Sequence, residues 1–358
     1  MKKPSVQPFR AFRLPFLWRP AGLVDSLSEL PLSDSVLAKH DVSRSVDPTA
    51  AGSSPLIVAE LAGGKIIGDL RLAVTRDDVV IGGMQTIYAA ENPSTHYALH
   101  RKRFRLPSYR SGRALLMGTA ISENYYSWLI ESLSRWKMVQ AAGYHEYDHV
   151  LLCEHPFRFQ EEVLDRLQIP AHKRLRLRKG NVYQFERLIV PDMPYPLRQV
   201  VPWTCETARS LFPDRGGGPE KIFISRSATP KRRLLNETAL ESRLQCLGFT
   251  SVKPEKYSVA DQAKLFGSAR YVVAAHGAGL TNMVFAPAGA TLIELLHPVA
   301  LRPTYTNLSA ACNQHYYPII GKIAPGPHPG NKNETPYSID IPEVLRIVQE
   351  NLSPAYAA

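Results

Sequence analysis

The sequence predicts an α/β protein, and three observations carry that prediction. Between Lys221 and Glu294, short β-branched or apolar runs alternate with amphipathic helical patterns, the order of a doubly wound parallel sheet. A second strand–helix–strand pattern runs from His149 to Pro191 and reads as another Rossmann-like unit. From Pro55 to Gly118 the chain carries short alternating runs separated by Gly- and Asp-rich turns, which reads as an additional β-rich region.

The segment from Lys221 is the most legible. Ile222-Phe223-Ile224 is a strand that ends at Ser225-Arg226-Ser227. A helix follows, with Leu235, Leu240, Leu244 and Leu247 three to five apart, Asn236 as its expected cap and Gly248 as its stop. A second helix spans Ser258 to Ala269, and Tyr271-Val272-Val273 then breaks into Ala275-His276-Gly277-Ala278-Gly279-Leu280-Thr281-Asn282. Thr291-Leu292-Ile293 reaches Glu294 as the next strand.

Open parallel sheets bind ligands beyond the carboxyl ends of their strands. Ser225, Arg226, Glu255, His276 to Gly279 and Glu294 all fall there. Gly277 and Gly279 let backbone N–H groups approach an anion at a helix start, and Arg226 adds a planar, permanent charge suited to phosphate. Lys231, with Arg232 and Arg233, extends that charge. His276 and Asn282 are expected to bond a phosphate or donor hydroxyl, and Glu255 a ribose hydroxyl. The chemistry indicated is diphosphate binding without a Walker lysine or a dinucleotide fingerprint.

The run ISRS…RRLLNE…LGF…VKPEKYSVADQAKLFGSARYVVAAHGAGLTNMVFAPAGATLIEL resembles the catalytic core of glycosyltransferase family 61. A weaker match covers Asn124, Tyr125, Trp128, Leu129, Glu131, Leu133 and Arg135, with Ser127 where that family commonly has histidine. The resemblance implies a GT-B arrangement of two facing Rossmann-like domains, a nucleotide-sugar donor held by the C-terminal one, and an inverting mechanism. It also makes Asn124, Tyr125 and Trp128 acceptor-side candidates. Glu131 is the expected general base, as an acidic residue in that motif turned off the apolar stripe of Trp128, Leu129, Leu133 and Trp136. Asp192, just after a strand, is the second choice.

Composition sets the remaining bounds. The chain has 358 residues, 44% of them hydrophobic, enough for two cored domains. Lys and Arg total 43 against 32 Asp and Glu, a charge of +11 that favours anionic partners. Charge alone would also fit a nucleic-acid binder, but no recognition motif accompanies it. No apolar run is long enough for a membrane span, and Cys153, Cys205, Cys246 and Cys312 lack zinc-site or disulfide spacing. No Asp-x-Asp occurs, so no metal and no other cofactor is expected.

The expected organisation is a basic, Pro-rich leader (1–55), an acceptor-side α/β domain (56–207), a linker (208–220), a donor-binding domain (221–325), and a loop with a closing helix (326–358). The expected protein is a cytoplasmic, metal-independent, inverting glycosyltransferase that uses a nucleotide sugar, with UDP-sugar the leading donor. Its acceptor would be a glycan or lipid-linked glycan of capsule, exopolysaccharide or lipopolysaccharide, reached by peripheral contact at the inner membrane face. A catalytically weak sugar-nucleotide-binding or scaffold subunit is the alternative, kept open by Ser127.

Overall fold

A computed structural model describes residues 17–18, 22–24, 27–47, 55–68, 72–81, 104–119, 121–193, 200–227, 232–324 and 335–352. Two sheets organise them. The C-terminal sheet has five parallel strands in the order Thr250–Val252, Lys221–Ile224, Tyr271–Ala275, Thr291–Leu296 and His315–Ile320. Every residue of Thr291–Leu296 is buried, as a central strand covered on both faces requires.

The period of two sorts the side chains of these strands cleanly. Phe223, Val273 and Ile293 face one core, packed with Leu240 and Leu244 of helix Glu237–Cys246 and Val344 and Val348 of helix Ile341–Leu352. Ile222, Val272 and Leu292 face the other, against Val259 and Phe266 of helix Val259–Phe266, Met283 of the 3-10 segment Ala278–Phe285, and Leu308 of helix Thr304–Ala311. Helices on both faces make the sheet doubly wound, and the order reverses between Lys221–Ile224 and Tyr271–Ala275. Loops leaving those two strands diverge, which opens a crevice at their carboxyl ends.

The N-terminal sheet runs in parallel through Arg174–Leu177, His149–Cys153, Ser108–Leu115 and Val182–Pro191. It continues antiparallel from Val182–Pro191 into Ile57–Ala62 and Lys65–Ile67. Val36–Asp41 pairs antiparallel with Ile57–Ala62, so part of the expected leader belongs to the sheet. Ser108–Leu115 is a strand whose Arg113 Nε donates to Glu60 Oε1 at 2.9 Å. Most of the leader lies outside the described residues.

The two halves share one buried cluster. Trp203, Cys205, Ala208 and Phe212 lie in it together with Leu129 and Leu133 from one half and Met283 and Phe285 from the other. Helix Pro202–Leu211 therefore occupies the first residues of the expected linker, and Arg209 Nε donates to Val284 O at 2.6 Å. The helix is apolar on the side that meets both halves.

Polar bonds reinforce this contact. The Glu162 carboxylate accepts the N–H groups of Val259 and Ala260 at 2.7 and 2.8 Å, capping a helix of the opposite half. Asn236, the expected cap of Glu237–Cys246, makes no such bond; its amide exchanges hydrogen bonds with Ile339 O and N at 2.7 and 3.1 Å. Replacing Glu162 with Ala exposes two unsatisfied helix N–H groups, and urea unfolding should show a loss of about 1–2 kcal/mol.

Candidate functional site

The carboxyl ends of Lys221–Ile224 and Tyr271–Ala275 bring Arg226 onto His276. Arg226 Nη1 donates to the His276 carbonyl, and a Cβ on Gly277 would press on that nitrogen, the mobile end of the arginine. The Gly277 φ of 176° is ordinary extended backbone, so a side chain there would displace the guanidinium without straining the main chain. Burial and the neighbouring Arg232 both lower the Arg226 pKa.

Ser225 does not face a ligand as expected. Its hydroxyl donates to Glu237 Oε1 at 2.8 Å, and the Arg226 backbone N–H donates to the same oxygen at 2.6 Å. Glu237, in the first turn of its helix, thus fixes the turn that aims Arg226. Sequence reasoning passed over Glu237; its place directly after Asn236 was the available signal. Lys231 lies outside the described residues.

Gly277 leads into Ala278–Phe285, whose first residues Ala278 and Gly279 line a cavity of about 840 Å³ between the halves. Glu255, exposed in the 3-10 turn Pro254–Lys256, lines it from the C-terminal half. Tyr125, Phe157, Phe159 and Arg158 line it from the other half. Its size suits a nucleotide-sized ligand.

Glu294 is not at a strand end but inside Thr291–Leu296, with 0% exposure. Its Oε1 lies 2.5 Å from His276 Nδ1, and its Oε2 accepts the Tyr316 hydroxyl at 2.6 Å. Tyr305 completes this corner: its hydroxyl donates to Gly277 O at 2.7 Å and its ring lies 5.3 Å from that of His276. Neither tyrosine was singled out from the sequence, since each reads as ordinary helix or strand packing.

Asn282 is a joint between the halves, not a donor contact. It is fully buried; Oδ1 accepts the Tyr125 hydroxyl at 3.0 Å, and Nδ2 donates to Gln262 Oε1 at 2.6 Å and to Gly279 O at 3.0 Å. Asn124 is exposed, and its Oδ1 accepts the Tyr126 N–H at 2.9 Å. Trp128 is 1% exposed and belongs to the core, which removes it from any acceptor surface.

Glu131 is also displaced from its expected position. Ser127–Ser132 is a π-turn, and its wider spacing rotates Glu131 inward to 1% exposure. There its charge acts on Arg135, whose guanidinium donates to Gly118 O at 2.7 Å and to Pro191 O at 2.8 Å. Asp192 acts on the same guanidinium and accepts the Ile57 N–H at 2.8 Å. Burial pushes the Asp192 carboxyl up to about 6, against the Ile57 bond and the Arg135 charge. Neither carboxylate lines the cavity.

With this geometry in hand, similarity to known proteins can be placed on it. Residues 125–293 match the Glycosyltransferase 61 family. The matched span includes Arg226, His276 and the cavity-lining turns, and ends one residue before Glu294.

Among relatives, the Bos taurus protein O-linked-mannose beta-1,4-N-acetylglucosaminyltransferase 2 is 30% identical over 162 residues, 41% of this chain and 27% of the relative. The beta-1,2-xylosyltransferase XAX1 of Oryza sativa subsp. japonica is 38% identical over 87 residues, 24% of this chain and 15% of the relative. The chain thus spans about a quarter or less of the length of these curated relatives. Among the described residues, no group of three or more His, Cys, Asp or Glu side chains is placed to hold a metal ion.

Asp192 gives a pH test of the N-terminal half. Its folded pKa of about 6 stands above the 3.8 of an unperturbed aspartate, so its contribution is present below pH 3.8 and lost as pH rises through 6. Asp192→Asn keeps an acceptor for the Ile57 N–H and removes this ionisation. Urea unfolding at pH 4 and pH 7 should show the wild type losing on the order of 2 kcal/mol more than the variant.

Proposed function

We propose that this protein is an inverting glycosyltransferase of GT-B arrangement that moves a sugar from a nucleotide-sugar donor to a glycan hydroxyl. The supporting observation is the Arg226–Gly277 corner, where a guanidinium meets the backbone turn that leads into Ala278 and Gly279 of the cavity wall. The donor diphosphate lies against Arg226 and the first N–H groups of Ala278–Phe285. The nucleoside extends toward Pro254 and Glu255.

Transfer requires the leaving diphosphate to be stabilised and the acceptor hydroxyl to lose its proton. In this reading basic side chains and backbone N–H groups do the first, without a metal. The second needs a base that reaches the cavity, whose lining includes neither Asp192 nor Glu131. The hydroxyl oxygen attacks the anomeric carbon from the face opposite the diphosphate, and the C–O bond to the diphosphate breaks.

A UDP-sugar is the leading donor, and N-acetylglucosamine and xylose, named in the relatives, are the sugars to try first. The acceptor is a growing cell-surface glycan on the cytoplasmic side of the membrane, a reading supported by the family resemblance and the +11 charge. Among the described residues, no helix is long and apolar enough to cross a membrane, so contact with a lipid-linked acceptor is peripheral in this reading. A buried Ser127 in the π-turn favours one second reading, a subunit that binds the donor and does not turn it over.

Thermal unfolding with UDP, GDP and CMP, each with and without EDTA, tests the donor site. One nucleotide should stabilise the wild type by about 2–3 kcal/mol at a hundredfold its Kd, unaffected by EDTA. Arg226→Ala should abolish that gain. Equal stabilisation of the variant would remove Arg226 from the donor site.

A further inference from the structure

We propose that His276, Glu294 and Tyr316 form a proton-holding relay on the leaving diphosphate, an inference that rests on the donor reading above. The imidazole is fixed on three sides. Arg226 holds its backbone carbonyl, Glu294 Oε1 lies 2.5 Å from Nδ1, and the Tyr305 ring lies 5.3 Å from its own. Tyr126 of the other half packs edge-on against Tyr305 at 6.0 Å. With Nδ1 committed to Glu294, the second ring nitrogen Nε2 is left to meet a ligand.

Glu294 has 0% exposure, and a carboxylate removed from water is costly unless a cation pairs with it. Tyr316 supplies a neutral hydrogen bond to Oε2, and in the relay the proton held by His276 supplies the cation beside Oε1. A donor diphosphate against Arg226 brings anionic charge to the same corner, so donor and proton each strengthen the binding of the other. The relay is thus loaded by the substrate it serves.

When the C–O bond between the anomeric carbon and the β-phosphate oxygen breaks, its electron pair stays on that oxygen. His276 Nε2–H donates to it and passes it the proton. The imidazole is left neutral, with Nδ1–H still bonded to Glu294, and regains a proton from solvent once the nucleotide departs. Glu294 and Tyr316 act through His276 and are positioning residues.

Calorimetric titration with UDP, GDP and CMP between pH 6 and 8.5 tests this on the wild type, His276→Gln, Glu294→Gln and Tyr316→Phe. The His276→Gln curve carries the titration of the nucleotide phosphate itself. The wild-type affinity should fall roughly tenfold more than that curve between pH 6 and 8. Glu294→Gln should move the fall to lower pH, and Tyr316→Phe, which keeps the charge and the ring, should alter its midpoint less.

Parallel pH curves for the wild type and His276→Gln would overturn the relay and leave the donor site standing. A wild-type affinity that rises with pH, as a neutral histidine base requires, would overturn it as well. Absence of binding by all three nucleotides at every pH would overturn both the relay and the donor reading.

Discussion

The bond from the Arg226 guanidinium to the His276 carbonyl closes the point where the C-terminal strand order reverses. Other features of the site depend on it. A side chain at Gly277 would push against this guanidinium, and the bond holds a permanent charge beside the start of Ala278–Phe285 and fixes the backbone from which the His276 ring projects. Glu237 steadies the same arginine from below through the Ser225–Arg226 turn. An anion bound at this corner would meet groups already held in place, which lowers the cost of ordering them on binding.

The same economy links the site to the junction of the two halves. Asn282 lies four residues past Ala278 and bonds Tyr125 of the other half, so the loop that would meet the diphosphate also anchors the cavity wall. Glu162 does the equivalent for the helix that follows Glu255 and Tyr257. The shared apolar cluster around Trp203 and Phe212 holds the halves in register beneath these bonds. Movement at the junction is thereby coupled to the geometry of the cavity.

The sequence made the C-terminal sheet legible because Ile222, Val272 and Leu292 alternate with Phe223, Val273 and Ile293 in strands covered on both faces. The Arg226 and His276 loops followed, since strand ends mark the ligand edge wherever the sheet runs. Polar side chains were harder to assign. Ser225, Asn236 and Asn282 carry hydrogen-bonding groups that serve ligand and protein equally well, and only tertiary partners decide between them. Glu131 was misplaced by a single inserted residue, because the helical period that put it outside does not hold through a π-turn. Val36–Asp41 was missed because its burial pattern is irregular and its partner strand lies beyond the Pro- and Ser-rich stretch.

The central claim is that a donor diphosphate sits between Arg226 and the Gly277–Gly279 turn. A crystal structure of the full chain with UDP tests it most directly. The account predicts phosphate oxygens about 3 Å from the Arg226 guanidinium and from the Ala278 or Gly279 N–H groups, with the nucleoside in the interdomain cavity. A diphosphate bound elsewhere, with the Arg226 corner empty, would contradict it.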